Sequence, residues 1–213
     1  MKVDQKQLII IKNIKIVCVI IVTPQGVKMP NIDILDACRE ANTDGVGYCT
    51  SSGKFNKSTN YELIKNDLLN IQQNDKAIIH FRFATQGSVI DANCHPFISN
   101  DIYFAHNGCL PFRNKKDQTD SEIFFRNVVM PIVKKYGLNS NKSINLLNKY
   151  SKLSKFALMY NSELFLFGTY FAVNGCLFSN LRWQCKQIVH DEYHDNQLRL
   201  YEKLFSSDKK EVF

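Results

Sequence analysis

Apolar positions along the chain fall into short runs separated by polar turns. Val17 to Thr23 (VCVIIVT) is a continuous, β-branched apolar stretch and reads as a strand buried on both faces. Pro24-Gln25-Gly26 then turns the chain. A second strand covers Gly45 to Thr50, entered through Asn42-Thr43-Asp44. A third covers Lys76 to Ala84 (KAIIHFRFA). Its last residues alternate, so His80 and Arg82 share one face while Phe81 and Phe83 share the other. Ile102 to His106 is a further strand, ending in Asn107-Gly108. Phe156 to Tyr160, Leu164 to Gly168 and Cys176 to Ser179 follow closely, joined by Asn161-Ser162 and Asn174-Gly175, the latter a strong hairpin signal.

Helical spacing appears in four places. Asn31 or Asp33 can cap a short helix to about Glu40. Asn60 to Gln72 carries Leu63, Ile64, Leu68 and Ile71 at helical intervals. Thr119-Asp120-Ser121-Glu122 opens a helix running to about Tyr136, with Gly137 as its stop, and Asn141 to Tyr150 forms another. There is no internal repeat and no linker dividing two domains. Strands and helices, then a helical stretch, then a late meander predict an α+β domain of two antiparallel sheets with helices outside.

Composition narrows the function classes. The chain is 45% hydrophobic and 22% charged, ordinary for a globular protein, with too few glycines and prolines for a fibrous or low-complexity one. The net charge of +7 is spread along the sequence, much of it Lys beside Asn, and reads as solvated surface. Seven cysteines without a CxxC pair suggest reduced thiols and a cytoplasmic location. Leu8 to Val22 is interrupted by Lys12, Asn13 and Lys15, so it lacks the roughly 18 apolar residues of a membrane span and makes a poor signal peptide.

Four clusters carry residue types with chemistry. Cys18 heads the first strand; alone it is a small buried hydrophobe or a nucleophile. Arg82, within His80-Phe81-Arg82-Phe83-Ala84-Thr85-Gln86-Gly87, can make a surface salt bridge or grip a carboxylate with two parallel hydrogen bonds. Asn107-Gly108 is either a turn or the pair of donors that an oxyanion hole needs. Thr119 with Glu122 fits a capping box, and Asp120 suits the first turn of a helix, which accounts for that tetrad without any function.

In this order and spacing the clusters resemble the class II glutamine amidotransferases of the N-terminal-nucleophile (Ntn) hydrolase superfamily. CVIIVTPQG is similar to the family's opening strand and HFRFATQG to its H-x-R-x-A-T-x-G segment. DANCHPF is similar to its N-x-H-P-F stretch. HNG and DSE follow, Asn42 to Gly47 resembles the N-x-D-G-x-G element, and Leu177-Phe178-Ser179-Asn180 with Trp183 resembles a closing serine-asparagine segment. The likeness spans about residues 18 to 183.

The resemblance implies a four-layer αββα sandwich and a glutamine-hydrolysing site with no cofactor and no metal. Cys18 would be the nucleophile, with its own α-amine as base. Asn107 and the Gly108 N–H would hold the oxyanion. Arg82 would bind the substrate α-carboxylate and Asp120 its α-ammonium, with Phe83, Thr85 and Gln86 lining the pocket. Two departures stand out: many members carry His at the position of Gln86 and Trp at that of Phe83. A larger one is that Cys18 is not the first residue. Either residues 1–17 are a removed propeptide, or translation starts at Val17 read from a GTG codon, or the extension stays and the protein is not a working amidotransferase.

Residues 184–213 read as a polar tail of helical tendency, too short for a synthase domain. Ammonia would therefore go to a separate synthase partner. The alternatives are a free-standing hydrolase of a γ-glutamyl amide and an inactive binding module. Two further patterns are weaker. Cys94-His95 with His106 and Cys109 has zinc-like residue types, but adjacent ligands are awkward for one tetrahedral ion. His190 and His194 lack the metalloprotease Glu placement, and Lys209-Lys210 is too short a basic run to argue for nucleic acid.

Overall fold

The computed structural model describes residues 18–112, 117–152 and 154–186. The predicted extension (1–17) and residues 187–213 of the predicted tail, with the His190/His194 pair, lie outside the described residues. Two antiparallel sheets form the centre. The first comprises β1 (Val19–Thr23), β2 (Val46–Thr50), β3 (Phe55–Ser58), β4 (Ala77–Phe81), β9 (Phe171–Val173) and β10 (Cys176–Phe178), ordered β3-β2-β4-β1-β10-β9. The second comprises β5 (Phe97–Ser99), β6 (Ile102–Gly108), β7 (Ser154–Tyr160) and β8 (Glu163–Phe167), in sequence order.

Side-chain alternation divides the interior into three apolar layers. Val19 and Ile21 of β1 pack with Val46, Ile79 and Phe81 against Leu35 and Cys38 of α1 (Ile32–Ala41) and Ile64 and Leu68 of α2 (Glu62–Leu69). Ile20 and Val22 point the other way, meeting Ile78, Cys49, Ala105, Ala157 and Met159 between the sheets. Beyond the second sheet, Phe104, Phe156 and Leu158 meet Phe124, Phe125, Val129, Val133 and Leu147. These come from α3 (Asp120–Phe124), a π-helical turn (Phe125–Val129), α4 (Met130–Tyr136) and α5 (Asn141–Asn148). The layers are therefore α, β, β, α, the expected sandwich. The central strand β1 is covered on both faces, which is why its sequence is apolar without alternation.

Several details differ from the sequence reading. The helix expected over Asn60–Gln72 spans only Glu62–Leu69, and Leu63 is 66% exposed while Ile64, Leu68 and Ile71 are buried. The single helix expected to Tyr136 contains the π-helical turn just ahead of Pro131. Proline has no N–H to donate and its ring crowds the carbonyl four residues back, so the ladder shifts register there. The short strands β3, β5 and β9 were not anticipated. Asn107-Gly108 does not turn the chain: both residues continue β6, opposite Lys155 and Ser154. No helix among the described residues is long and apolar enough to cross a membrane.

Candidate active site

Strands β1 and β4 are antiparallel neighbours with Val19 opposite Phe81. This register brings Cys18, just ahead of β1, beside the residues that follow β4. The Cys18 thiol donates to the Phe83 carbonyl at 3.3 Å, and the Phe83 N–H points back to the sulfur at the same distance. The chain after β4 is held by the N-x-D-G-x-G element. The Arg82 N–H donates to the Gly45 carbonyl at 2.7 Å, the Asp44 N–H to the Arg82 carbonyl at 3.0 Å, and the Ala84 N–H to the Asp44 carboxylate at 2.7 Å. The glycines of that element make room for another segment. A Cβ at Gly45 would collide with the Cys94 sulfur, and one at Gly47 with the His95 carbonyl. Two motifs far apart in sequence thus pack backbone to backbone.

A cleft open to solvent runs past the thiol. Of the residues expected at the site, Cys18, Arg82, Phe83, Thr85, Gln86, Gly108 and Asp120 line it. Asn107 does not. Its side-chain amide donates to the Ser179 hydroxyl at 2.8 Å, and the same oxygen accepts the Ile20 N–H at 2.9 Å. Asn180 donates to the Cys18 carbonyl at 2.8 Å. The closing serine-asparagine segment therefore ties Cys18 and β1 to Asn107.

Arg82 is 3% exposed, yet no carboxylate lies within ion-pair distance of it among the described residues. One terminal nitrogen donates to the Gln86 carbonyl at 3.2 Å; the other, Nη1, is buried with no partner among the described residues. An unpaired buried guanidinium nitrogen is costly, and an anion is what would satisfy it. Gln86 Oε1 is buried and unpartnered as well. Asp120, at the first position of α3, accepts the Leu110 N–H at 2.9 Å and the Ser121 N–H at 2.8 Å, which holds the carboxylate in place. Thr119 caps the helix by accepting the Glu122 N–H at 3.1 Å. The capping account of this tetrad and its place in the cleft hold together.

One family model, glutamine amidotransferases class-II, matches residues 42–164, more than half of the 213-residue chain. The chain belongs to the class II glutamine amidotransferases. A solved glutamine phosphoribosylpyrophosphate amidotransferase from B. subtilis, complexed with ADP and GMP, is similar in structure, with 16% identity and a TM-score of 0.49. The alignment covers 76% of this chain and 41% of that one, so this chain spans less than half of that protein's length. No curated protein matches.

Electrostatics of the amidotransferase cleft are set by burial. Desolvation pushes the Cys18 thiol up to about 11, against the Phe83 N–H and the positive Arg82, which favour the thiolate. Burial likewise pushes His80 and His106 down to about 3 and His95 well below its ordinary value, so these imidazoles are neutral. His106 bonds Ser121 Oγ at 2.7 Å through Nδ1 and Ser154 Oγ at 3.1 Å through Nε2. Three of the zinc-like quartet are accordingly used for hydrogen bonding: His106 with two serines, His95 with His80 at 2.9 Å, and Cys94, which donates to the Ile90 carbonyl at 3.7 Å, while Cys109 is exposed. Among the described residues no group of three or more His, Cys, Asp or Glu is arranged to hold a metal ion.

Sequence reasoning did not place Asn93, His95, His106, Thr119 or Ser121 in the cleft wall. All five lie within or beside motifs that were recognised. What was missing was the pairing of those motifs in space, which the collision-limited glycines record only once the packing is known.

Proposed function

We propose that this amidotransferase hydrolyses the side-chain amide of glutamine, with Cys18 as nucleophile. The observation that carries the reading is the cleft itself. A thiol, a buried guanidinium with an unpaired nitrogen and a fixed carboxylate face one space. An α-amino acid with a reactive amide at its far end has the complementary groups: carboxylate for Arg82, ammonium for Asp120, amide carbon for the thiol.

A thiol with a pKa near 11 is almost wholly protonated at neutral pH, so attack needs a base beside it. We propose that the active form begins at Cys18, whose free α-amine, with an ordinary pKa of about 7.7–8.0, takes the proton. Sulfur then bonds to the amide carbon, and the oxygen gains negative charge. The Gly108 N–H, at the cleft, stabilises that oxygen; Asn107 lies outside the cleft lining with one amide proton on Ser179, and we propose that its second amide proton turns to the oxygen as substrate binds. Protonated by the α-amine, ammonia leaves and a γ-glutamyl thioester remains. Water adds to it, and the carbon–sulfur bond breaks to give glutamate and the free thiol. We propose that the ammonia passes to a separate synthase partner. The test is release of glutamate and ammonia from glutamine in equal amounts. Cys18→Ala should abolish both, and turnover surviving that change would end the proposal.

A further inference from the structure

Three buried imidazoles stand behind the cleft, and their contacts determine where the protons sit. His80 Nε2 lies 3.1 Å from the His106 carbonyl oxygen and 2.9 Å from His95 Nδ1. A carbonyl oxygen only accepts, so His80 carries its proton on Nε2. A second proton on His95 Nδ1 would set two N–H groups against each other across 2.9 Å. His95 Nδ1 is therefore the acceptor. Since desolvation keeps the ring neutral, its single proton is on Nε2.

That N–H has no partner among the described residues: His95 is 5% exposed and is one of the residues lining the cleft, and its Nε2 is buried without an acceptor there. Arg82 Nη1 is in the same condition in the same cleft. His80 and Arg82 share a face at the end of β4, and the His95 ring packs edge-on against His80 with 4.2 Å between centroids. The positive charge of Arg82 reaches the His95 ring and adds to its preference for neutrality. Two buried donors, one charged and one neutral, thus belong to residues lining one cleft and stand unsatisfied among the described residues.

We infer that His95 is a second substrate-binding residue, donating through its neutral Nε2–H to the same anionic group that Arg82 binds, the α-carboxylate of the amino-acid substrate. This rests on the glutamine reading above. A neutral donor suits the place: a second cation there would repel the substrate ammonium that Asp120 is to bind. His80 and the His106 carbonyl act as the relay that holds the Nε2–H tautomer.

The test exploits two substitutions. A Gln amide reaches about where Nε2 sits, an Asn amide about where Nδ1 sits. L-glutamate binding to the natively produced protein is measured by calorimetry for wild type, His95→Gln, His95→Asn and Arg82→Ala, with KM and kcat for glutamine alongside. His95→Asn should weaken glutamate binding and raise KM about tenfold, leaving kcat within about threefold, as expected for loss of one donor to a charged group. His95→Gln should restore binding to within about threefold of wild type. The reverse order, equal losses in both, or no loss in either overturns the inference. Nitrogen-15 NMR of the imidazoles gives a reading free of any variant: a His95 proton on Nδ1 overturns it too. If only Arg82→Ala loses binding, this inference falls and the glutamine reading stands. If Arg82→Ala binds as wild type, or wild type binds no glutamate, both fall.

Discussion

Arg82 illustrates what the residue scale contributes. Its guanidinium is buried, touches the Gln86 carbonyl with one nitrogen and leaves the other unpaired, an arrangement that has an energetic purpose only when an anion arrives. Removing it should cost a charge-assisted pair of about 1.5–3 kcal/mol. Arg82→Ala should therefore raise KM for glutamine by roughly tenfold to a hundredfold, and Arg82→Lys should also weaken binding because the two-pronged geometry is lost. An unchanged KM in steady-state kinetics would show that the side chain does not meet substrate. Asn107 is the complementary case. Asp would keep the shape of the side chain but present a carboxylate to Ser179 and to the developing oxyanion. Loss of one oxyanion donor costs about 10²–10³ in kcat, and Asn107→Asp should lose at least that while still binding glutamate. A variant keeping more than about a third of wild-type kcat would remove Asn107 from the mechanism.

Elements place these residues, and some elements were more legible than others. Strand β1 announced itself because it is covered on both faces, so its pattern is plain: apolar throughout. The β3 strand (FNKS) was not legible, because an edge strand with only Ser58 buried carries no apolar alternation. The π-helical turn was missed although Pro131 marks it, since the amphipathic spacing runs on through it. Among candidate site residues, Cys18, Arg82 and Asp120 were recognised from motif order, and the cleft brings them together. His95 and Ser121 were not assigned, because their role depends on which motifs touch, a fact that no local spacing carries. The contact between the N-x-D-G-x-G element and the His95 segment is the clearest example. Gly47→Ala would drive a methyl into the His95 carbonyl, and such overpacking typically costs about 1–3 kcal/mol. The urea midpoint should fall and glutaminase activity should fall further, since the shift is delivered to the cleft wall. Unchanged stability would show that this backbone contact is looser than described.

At the scale of the whole molecule, the buried imidazoles make stability depend on pH. His80, His95 and His106 resist protonation in the folded state, whereas in the unfolded chain each titrates near 6.5. The unfolded chain therefore binds more protons below that value, and folding stability falls with decreasing pH. The loss begins as pH drops through about 6.5 and continues toward about 3, where His80 and His106 would charge in place. Each histidine contributes at most about 1.4 kcal/mol per pH unit, so the three together reach about 4 in the steepest part. Denaturant midpoints should be level above pH 7.5 and decline clearly between pH 6.5 and 5. A flat profile across that interval would mean that the imidazoles are hydrated or already charged.

The proposed role of Cys18 as nucleophile and its proposed place at the start of the active chain meet in a single measurement. An electrophilic glutamine analogue, a diazoketone that alkylates a thiol at the glutamine site, is incubated with natively produced protein, with and without excess glutamine. Intact-mass and peptide analysis then locate the adduct. The account predicts one adduct on Cys18, on a species lacking residues 1–17, with labelling suppressed by glutamine. Exposed Cys109 supplies the internal control, because any reaction there should ignore glutamine. An adduct confined to Cys109, or a full 213-residue chain that hydrolyses glutamine with Cys18 unlabelled, would contradict the account.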